Sequence, residues 1–467
     1  MSITTSIPAS ISQTNPATGD PQGTFAALSR TELDAVLQSS ADVQREWRQT
    51  PVAKRAELLR EVARLLRDEV DEHATLISQE MGKPITEARG EVLKCALTCE
   101  YYADHAEEFL SPKSVQTEAV RSFVAYEPLG VVLAVMPWNF PYWQVVRFAA
   151  PTLLAGNGGL LKHASNVTGS SLAIQSVFER AGFPTHLLTA LVLTEHALVN
   201  EIIADPRVAA VTLTGSEKAG ASVAEAAGRA LKKTVLELGG SDPFVILADA
   251  NIAALIPLAV RARFVNTGQS CLCAKRFIVD GTVIDEFERL LVPAVEALVI
   301  GDPLDAATQI GPLAKPSFVD DIDRQVQESI AMGARLLTGG YRIPGPGNYY
   351  APTVLADVTP AMPVFRQETF GPVLALVRAD SAEHAIELAD DSPYGLAASV
   401  WTADMEAGLE LGRGIQSGAL FVNGVVVSDP RLPFGGVKLS GYGRELSIEG
   451  IHEFMNVRAV WAGAMPS

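Results

Sequence analysis

Few side chains in this sequence are placed to do covalent chemistry. The first is a thiol. Asn266-Thr267-Gly268-Gln269-Ser270-Cys271 is a polar, glycine-containing run that ends in cysteine. A lone cysteine is commonly a small buried hydrophobe. The polar lead-in marks this one as exposed, as a nucleophile must be. Glu237 interrupts the apolar run Val235-Leu236-Glu237-Leu238 ahead of Gly239-Gly240. A carboxylate at the end of an apolar strand costs desolvation unless it has a partner or a task. Glu237 therefore reads either as a salt-bridged structural residue or as a carboxylate with a functional task. Asn139 sits in Met136-Pro137-Trp138-Asn139-Phe140-Pro141, directly after the apolar run Val131–Met136. It is either a turn residue between prolines or a ligand group at the end of a parallel strand, where α/β proteins place their ligands. Glu368-Thr369-Phe370-Gly371-Pro372 is a second element of this kind. Gly215 to Gly220 follows an apolar run and opens a helical one with phosphate-loop spacing, but Ala221 stands where the lysine belongs. That segment is either a tight turn or a set of strand-to-helix amides that meet a phosphate. No complete Gly-x-Gly-x-x-Gly follows a strand. Cys95 and Cys99 with Cys271 and Cys273 do not have a usual zinc spacing, and no metal is expected.

These groups need strands and helices to hold them. The chain has 467 residues, and at ~150 residues per domain that suggests about three units. Hydrophobic residues make up 48% and charged residues 19%, which permits a large core and excludes disorder. Thirty-seven basic against 54 acidic residues leave a net charge of −17, which argues against nucleic acid or an anionic membrane as partner. An anionic ligand would need a local basic pocket. Four cysteines are no disulfide scaffold and point to a reducing compartment. No apolar run approaches the ~18–20 residues of a membrane span, and Met1–Ala9 carries no basic residue. A cytoplasmic protein is expected.

Residues 1–28 read as an extended or loosely held lead-in. Ser29-x-x-Glu32 is a capping box, and Thr50-Pro51 reads as an N-cap with proline at N1. Gly82 and Pro84 mark a helix stop. Strands are predicted at Val131–Met136, Leu191–Thr194, Ala209–Thr214, Phe244–Leu247 and Arg276–Val279, with a helix over Ser170–Arg180 between two of them. Such alternation is α/β with a parallel sheet. Ile451–Trp461 is a β-prone run with little to cover both its faces.

Taken together, these residues resemble the aldehyde dehydrogenase superfamily. The matching elements are Pro137 to Pro141, Lys162-His163-Ala164-Ser165, Thr214-Gly215-Ser216, Glu237-Leu238-Gly239-Gly240, Gly268-Gln269-x-Cys271, Glu368-x-Phe370-Gly371-Pro372 and Pro433-Phe434-Gly435-Gly436-x-Lys438-x-Ser440-Gly441. Their order and spacing match from about Asn15 to Trp461. Leu161 to Val167 and Ser428 to Pro433 are similar to bacterial-type succinate-semialdehyde dehydrogenases.

The resemblance implies roles. Cys271 would attack the aldehyde carbon as thiolate. The Asn139 side chain and the Cys271 N–H would form the oxyanion hole. Hydride would pass to a nicotinamide, leaving a thioester, and Glu237 would be the general base for the thiol, the water or both. Trp138, Asn139, Lys162, Ser165, Gly215, Ser216, Leu238, Glu368 and Phe370 would bind the dinucleotide. Many family members carry glutamate where this chain has Ser165. Its absence removes a repulsion toward a 2′-phosphate, so NADP is expected to be preferred over NAD. Arg147 and Ser428 would bind the carboxylate of succinic semialdehyde. The alternatives are a broader aldehyde dehydrogenase acting on glutarate semialdehyde or uncharged aldehydes, a reductase of acyl-phosphate or acyl-CoA, and a non-catalytic relative. Arg147 would lie on a helix that Pro141 opens. Phe148 and Val265 stand where relatives have a lysine and a second arginine.

The implied architecture has a Rossmann-like cofactor domain over 1–110 and 131–238 and an α/β catalytic domain over 239–432. A small β element of 111–130 and 445–467 would join a homodimer or homotetramer. On an extended segment, Cys271 and Cys273 would point the same way with Cα atoms ~6.5–7 Å apart, near the limit for a disulfide. The plainer expectation is that Cys273 is a packed small residue.

Overall fold

A computed structural model describes residues 9–195 and 197–465. Two large sheets organise it. The first contains the aliphatic run Val131–Met136, which is buried on both faces as a central parallel strand should be. It pairs in parallel with Gly158–His163 and Val208–Thr214, and the latter pairs with Lys233–Glu237. Leu188–Ala190 closes one edge, and Gly441–Tyr442 lies antiparallel on the other. The register sets Met136 opposite His163 and Thr214 opposite Glu237. The carboxyl ends of these strands therefore form one rim, from which Pro137–Asn139, Ala164–Ser165, Gly215–Ser216 and Leu238–Gly239 all emerge.

The second sheet has seven strands in the order Arg335–Thr338, Thr353–Ala356, Val373–Ala379, Ala274–Asp280, Asp242–Ile246, Ala397–Trp401 and Ala419–Val422, all parallel but the first. Here the functional candidates precede the strands. Cys271 comes just before Ala274–Asp280, and Glu368 and Phe370 just before Val373–Ala379. A third sheet pairs Met455–Ala462 with Arg121–Pro128 over eight residues and adds Lys113–Ser114. The α/β class with parallel sheets is as expected.

Several local expectations are met and several are corrected. Ser29 and Glu32 form the reciprocal capping box of Arg30–Trp47. Gly82 ends Val70–Met81 with φ 82°, a left-handed cap suited to glycine. Thr50 makes no cap, because Pro51 is itself the N-cap of Val52–Asp68. The expected strand at Leu191–Thr194 lies three residues earlier, at Leu188–Ala190. The lead-in is partly ordered as an antiparallel hairpin of Ser10–Thr14 and Pro21–Ala26; residues 1–8 lie outside the described part. The C-terminal strand begins at Met455, since Ser447–His452 is helical. The helix after Pro141 starts at Trp143 rather than at the proline. No helix among the described residues is long and apolar enough to cross a membrane.

Candidate active site

Cys271 stands in the wall of two cavities. One, of about 350 Å³, is also lined by Trp138, Asn139, Gly215, Ser216, Leu238, Glu368 and Phe370. The other, of about 1050 Å³, is lined by Trp143, Arg147, Ser428 and Phe434 as well as by Cys271. A single thiol is thus accessible from two chambers of different composition.

The loop that presents the thiol is held in an unusual backbone shape. Asn266, Thr267 and Gly268 have consecutive φ values of 54°, 57° and 73°. Non-glycine residues reach this region only at a cost. The Asn266 Nδ2 donates to Asn139 O at 2.8 Å and to Gln269 O at 3.0 Å. Arg263, fully buried, donates to Gly268 O at 3.4 Å and to Thr369 O at 3.0 Å, and also to the Gly371 carbonyl. One guanidinium therefore fixes the Cys271 loop to the loop that carries Glu368 and Phe370. Lys275 does similar work from below. Its Nζ donates to Ser270 O at 2.8 Å and Cys271 O at 2.9 Å and lies 3.3 Å from Glu368 Oε1.

Asn139 is buried, with its Nδ2 donating to Gln269 O at 3.0 Å. That bond uses one amide hydrogen and fixes the carboxamide, leaving the second hydrogen for an oxyanion. The Cys271 N–H has no protein acceptor among the described residues. Burial pushes the Cys271 thiol up to about 12, with Lys275 opposing. At neutral pH the resting thiol is protonated, so attack requires a base.

Glu237 is 1% exposed, at the end of Lys233–Glu237, and neither carboxyl oxygen has a hydrogen-bond partner among the described residues. Burial, and then the neighbouring Glu445, push its carboxyl well above the ordinary range, while Arg147 pulls it down. Glu237 lines neither cavity. It packs against Gly435, where a Cβ would come within 2.7 Å of Oε1.

Arg147 is buried on Trp143–Leu154, and its Nε is 2.5 Å from Glu445 Oε2. Its Nη2 donates to Gln144 Oε1 at 2.5 Å, and its guanidinium lies 4.6 Å from the Phe434 ring centre. It faces the larger cavity as expected of a substrate ligand, but its charge is already matched by a carboxylate from far along the chain. Ser428 lines the same cavity and accepts from Lys94 Nζ at 2.6 Å. Sequence reasoning passed over Lys94, Arg263, Lys275 and Glu445. Lys275 alone left a signal, as a charge inside an apolar strand.

In the smaller cavity the Trp138 ring stacks on Phe318 at 4.9 Å and meets Phe370 edge-on at 5.7 Å. Ser216 caps Glu217–Arg229 through Ala219 N at 3.4 Å and Gly215 N donates to Glu237 O at 2.9 Å, which leaves the amides of Ser216, Glu217 and Lys218 without an acceptor among the described residues. Glu368 Oε1 accepts from Gly240 N at 3.1 Å. Lys162 and Ser165 are outside both cavity walls, at the end of Gly158–His163. Ser165 is exposed, and burial together with Lys315 lowers the Lys162 pKa, so two lysines share this corner. Cys273 is buried with its Sγ donating to Val265 O at 3.6 Å. Residues 271–273 form a turn rather than the extended segment that would point both thiols the same way.

The aldehyde dehydrogenase family model matches residues 3–460. This chain belongs to that family. A probable NADP(+) succinate-semialdehyde dehydrogenase of Synechocystis sp. is 52% identical, covering 97% of this chain and 99% of that one. The NAD(P)+ succinate semialdehyde dehydrogenase Sad of Escherichia coli is 47% identical, with 96% of each covered. The crystal structure of succinic semialdehyde dehydrogenase from Streptococcus pyogenes in complex with NADP+ superposes with a TM-score of 0.95 at 39% identity, covering 97% of this chain and 100% of that one.

Proposed function

We propose that this aldehyde dehydrogenase oxidises succinic semialdehyde to succinate with NADP as the preferred acceptor. The observation that carries the reading is the position of Cys271 between two chambers, one suited to a dinucleotide and one lined by Arg147 and Ser428. The relatives named above support the choice of substrate and cofactor.

The residues present fit the dinucleotide. Trp138, Leu238 and Phe370 offer apolar contact, the turn at Gly215 and Ser216 offers the amides from Ser216 onward to a pyrophosphate, and Glu368 offers a carboxylate to a ribose. Lys162 with an exposed Ser165 leaves room and positive charge for a 2′-phosphate. When bound, NADP accepts the hydride of the oxidation.

The protein's own residues do the rest. Glu237 takes the thiol proton or that of the hydrolytic water. Its oxygens leave no hydrogen bond behind when the side chain rotates toward Cys271. The Cys271 sulfur adds to the aldehyde carbon, and Asn139 Nδ2 and the Cys271 N–H stabilise the resulting oxyanion. Water then releases the acid from the cysteine thioester. Arg147 and Ser428 orient the far carboxylate.

The proposal extends to architecture. Residues 1–110 and 131–238 would form the cofactor domain, 239–432 the catalytic domain, and 111–130 with 445–467 the element that joins two or four cytoplasmic copies. The test of function is initial rates with succinic semialdehyde and butanal under NADP and NAD. The expected result is a kcat/KM at least ~10-fold higher for the semialdehyde, with NADP the faster acceptor. Equal efficiency with both aldehydes overturns the carboxylate reading.

A further inference from the structure

The larger cavity holds three cations in its walls, Lys94, Arg147 and Arg261. Arg147 is neutralised by Glu445, and the pair is buried on both sides. Arg261 is exposed at the mouth. Lys94 differs from both. It is half-buried on Ile85–Asp104, and no carboxylate lies within ion-pair distance of it among the described residues. The acidic neighbours are occupied elsewhere. Glu91 pairs with Lys83 and also accepts from the Tyr142 and Trp143 amides at 2.8 and 2.9 Å. Asp429 pairs with Arg431 at 2.6 Å. The Lys94 ammonium donates to Ser428 Oγ at 2.6 Å and sits 4.0 Å from the Trp143 ring centre.

We propose that Lys94, with Ser428, is the principal recognition site for the substrate's carboxylate, and that Arg147 contributes a hydrogen bond there rather than the net charge. The inference rests on the succinic semialdehyde reading above. An ammonium has three donors and Ser428 accepts one, so two remain for a carboxylate. The Ser428 hydroxyl, accepting from Lys94, keeps its own proton to donate to the same anion. Trp143 and Phe434 supply apolar wall for the methylenes between that end and Cys271. Partial burial without a counter-ion is unfavourable for Lys94, and burial lowers its pKa to about 8. An entering carboxylate supplies the missing partner, which an uncharged aldehyde cannot.

The experiment compares succinic semialdehyde with butanal, a four-carbon aldehyde lacking the carboxylate, at saturating NADP in the wild type, Lys94→Met, Lys94→Arg and Ser428→Ala. Lys94→Met is expected to raise KM for the semialdehyde at least ~10-fold while changing its kcat, and the KM for butanal, by less than about threefold. Lys94→Arg is expected to recover most of the loss. If Lys94→Met keeps the wild-type preference, Lys94 is not the recognition residue, although the enzyme remains a succinic semialdehyde oxidiser. An equal loss on both substrates overturns the proposal in favour of a packing role. A wild type with no preference for the semialdehyde overturns the functional reading itself. Should Lys94→Met melt too low to assay, the same ratio in Ser428→Ala and Lys94→Arg decides: an unchanged preference in Ser428→Ala rejects the shared site.

Discussion

Cys271 and Glu237 pose the same physical problem at the scale of single residues. Burial raises the thiol to about 12 and also raises the Glu237 carboxyl well above its usual range, so for both groups it disfavours the charged form that the chemistry needs. The base must be deprotonated to act, so kcat/KM should rise with pH through the Glu237 pKa, with an acid limb well above pH 4.5. Glu237→Gln should remove that limb and cost ~10²–10⁴-fold in rate. Arg147, ahead of Arg444, is the cation that pulls the Glu237 pKa down most. Arg147→Met should therefore move the limb to higher pH, a shift that a residue confined to substrate binding would not cause. The measurement is a pH–rate profile of the three proteins with butanal. Ser165 makes a separate case. It is exposed just past the strand that carries Lys162, and Ser165→Glu should lower kcat/KM for NADP against NAD by at least ~10-fold. Steady-state rates with both cofactors check it, and an unchanged ratio would reject a role for Ser165. Cys271, Glu237 and Asn139 stood out in the sequence as candidates because each is a polar residue set against an apolar strand or ending a polar loop. Lys94 was not, since it is one lysine among several charges on an amphipathic helix. What distinguishes it is Ser428, brought beside it from the other end of the chain.

The elements that carry these residues do so through strand ends and one strained loop. The run Val131–Met136 was legible to the residue, because six consecutive apolar residues rich in valine and bounded by Gly130 and Pro137 suit a short strand with both faces covered. Leu191–Thr194 misled, because an apolar run continues past the point where pairing stops; Leu191 N still donates to Leu161 O at 2.8 Å, but the strand ends at Ala190. The clamp from Arg263 to the loops of Cys271 and Glu368 was hidden, since its acceptors are backbone carbonyls with no sequence signature. Gly268 is the keystone of that clamp. Its φ is 73°, and a Cβ there would meet Gly371 O at 2.2 Å. Backbone cannot yield as a flexible side chain can. Gly268→Ala should cost ~1–3 kcal/mol of stability and displace the thiol from Asn139, so that activity falls far more than thermal stability does. Melting temperature and kcat measured on the same preparation separate the two effects. A variant that melts lower with full kcat would show that the loop's shape is structural only.

At the scale of the whole molecule, the third sheet ends on Met455–Ala462, an eight-residue strand paired on one side only. Val457, Ala459 and Trp461 share one of its faces by the two-residue repeat of a strand. Val457 and Trp461 are 60% and 63% exposed, values at odds with a finished monomer surface for residues of this size. Across the pair, Val124 and Tyr126 extend the same apolar strip. A free edge carrying such a face is a template for another chain, and the remaining surface, at a net charge of −17, disfavours random association. The sequence revealed the bare strand but not the strip, which depends on the register that sets Tyr126 opposite Val457. Sedimentation of the wild type should give a mass of at least twice 49.7 kDa. Val457→Asp combined with Trp461→Ser should shift it toward the monomer, because a charge within the strip cannot be buried without a partner. Far-ultraviolet dichroism should stay unchanged, as both side chains are largely exposed. A wild type that sediments as a monomer, or a double variant that assembles as the wild type does, would place the contact between copies elsewhere or remove it.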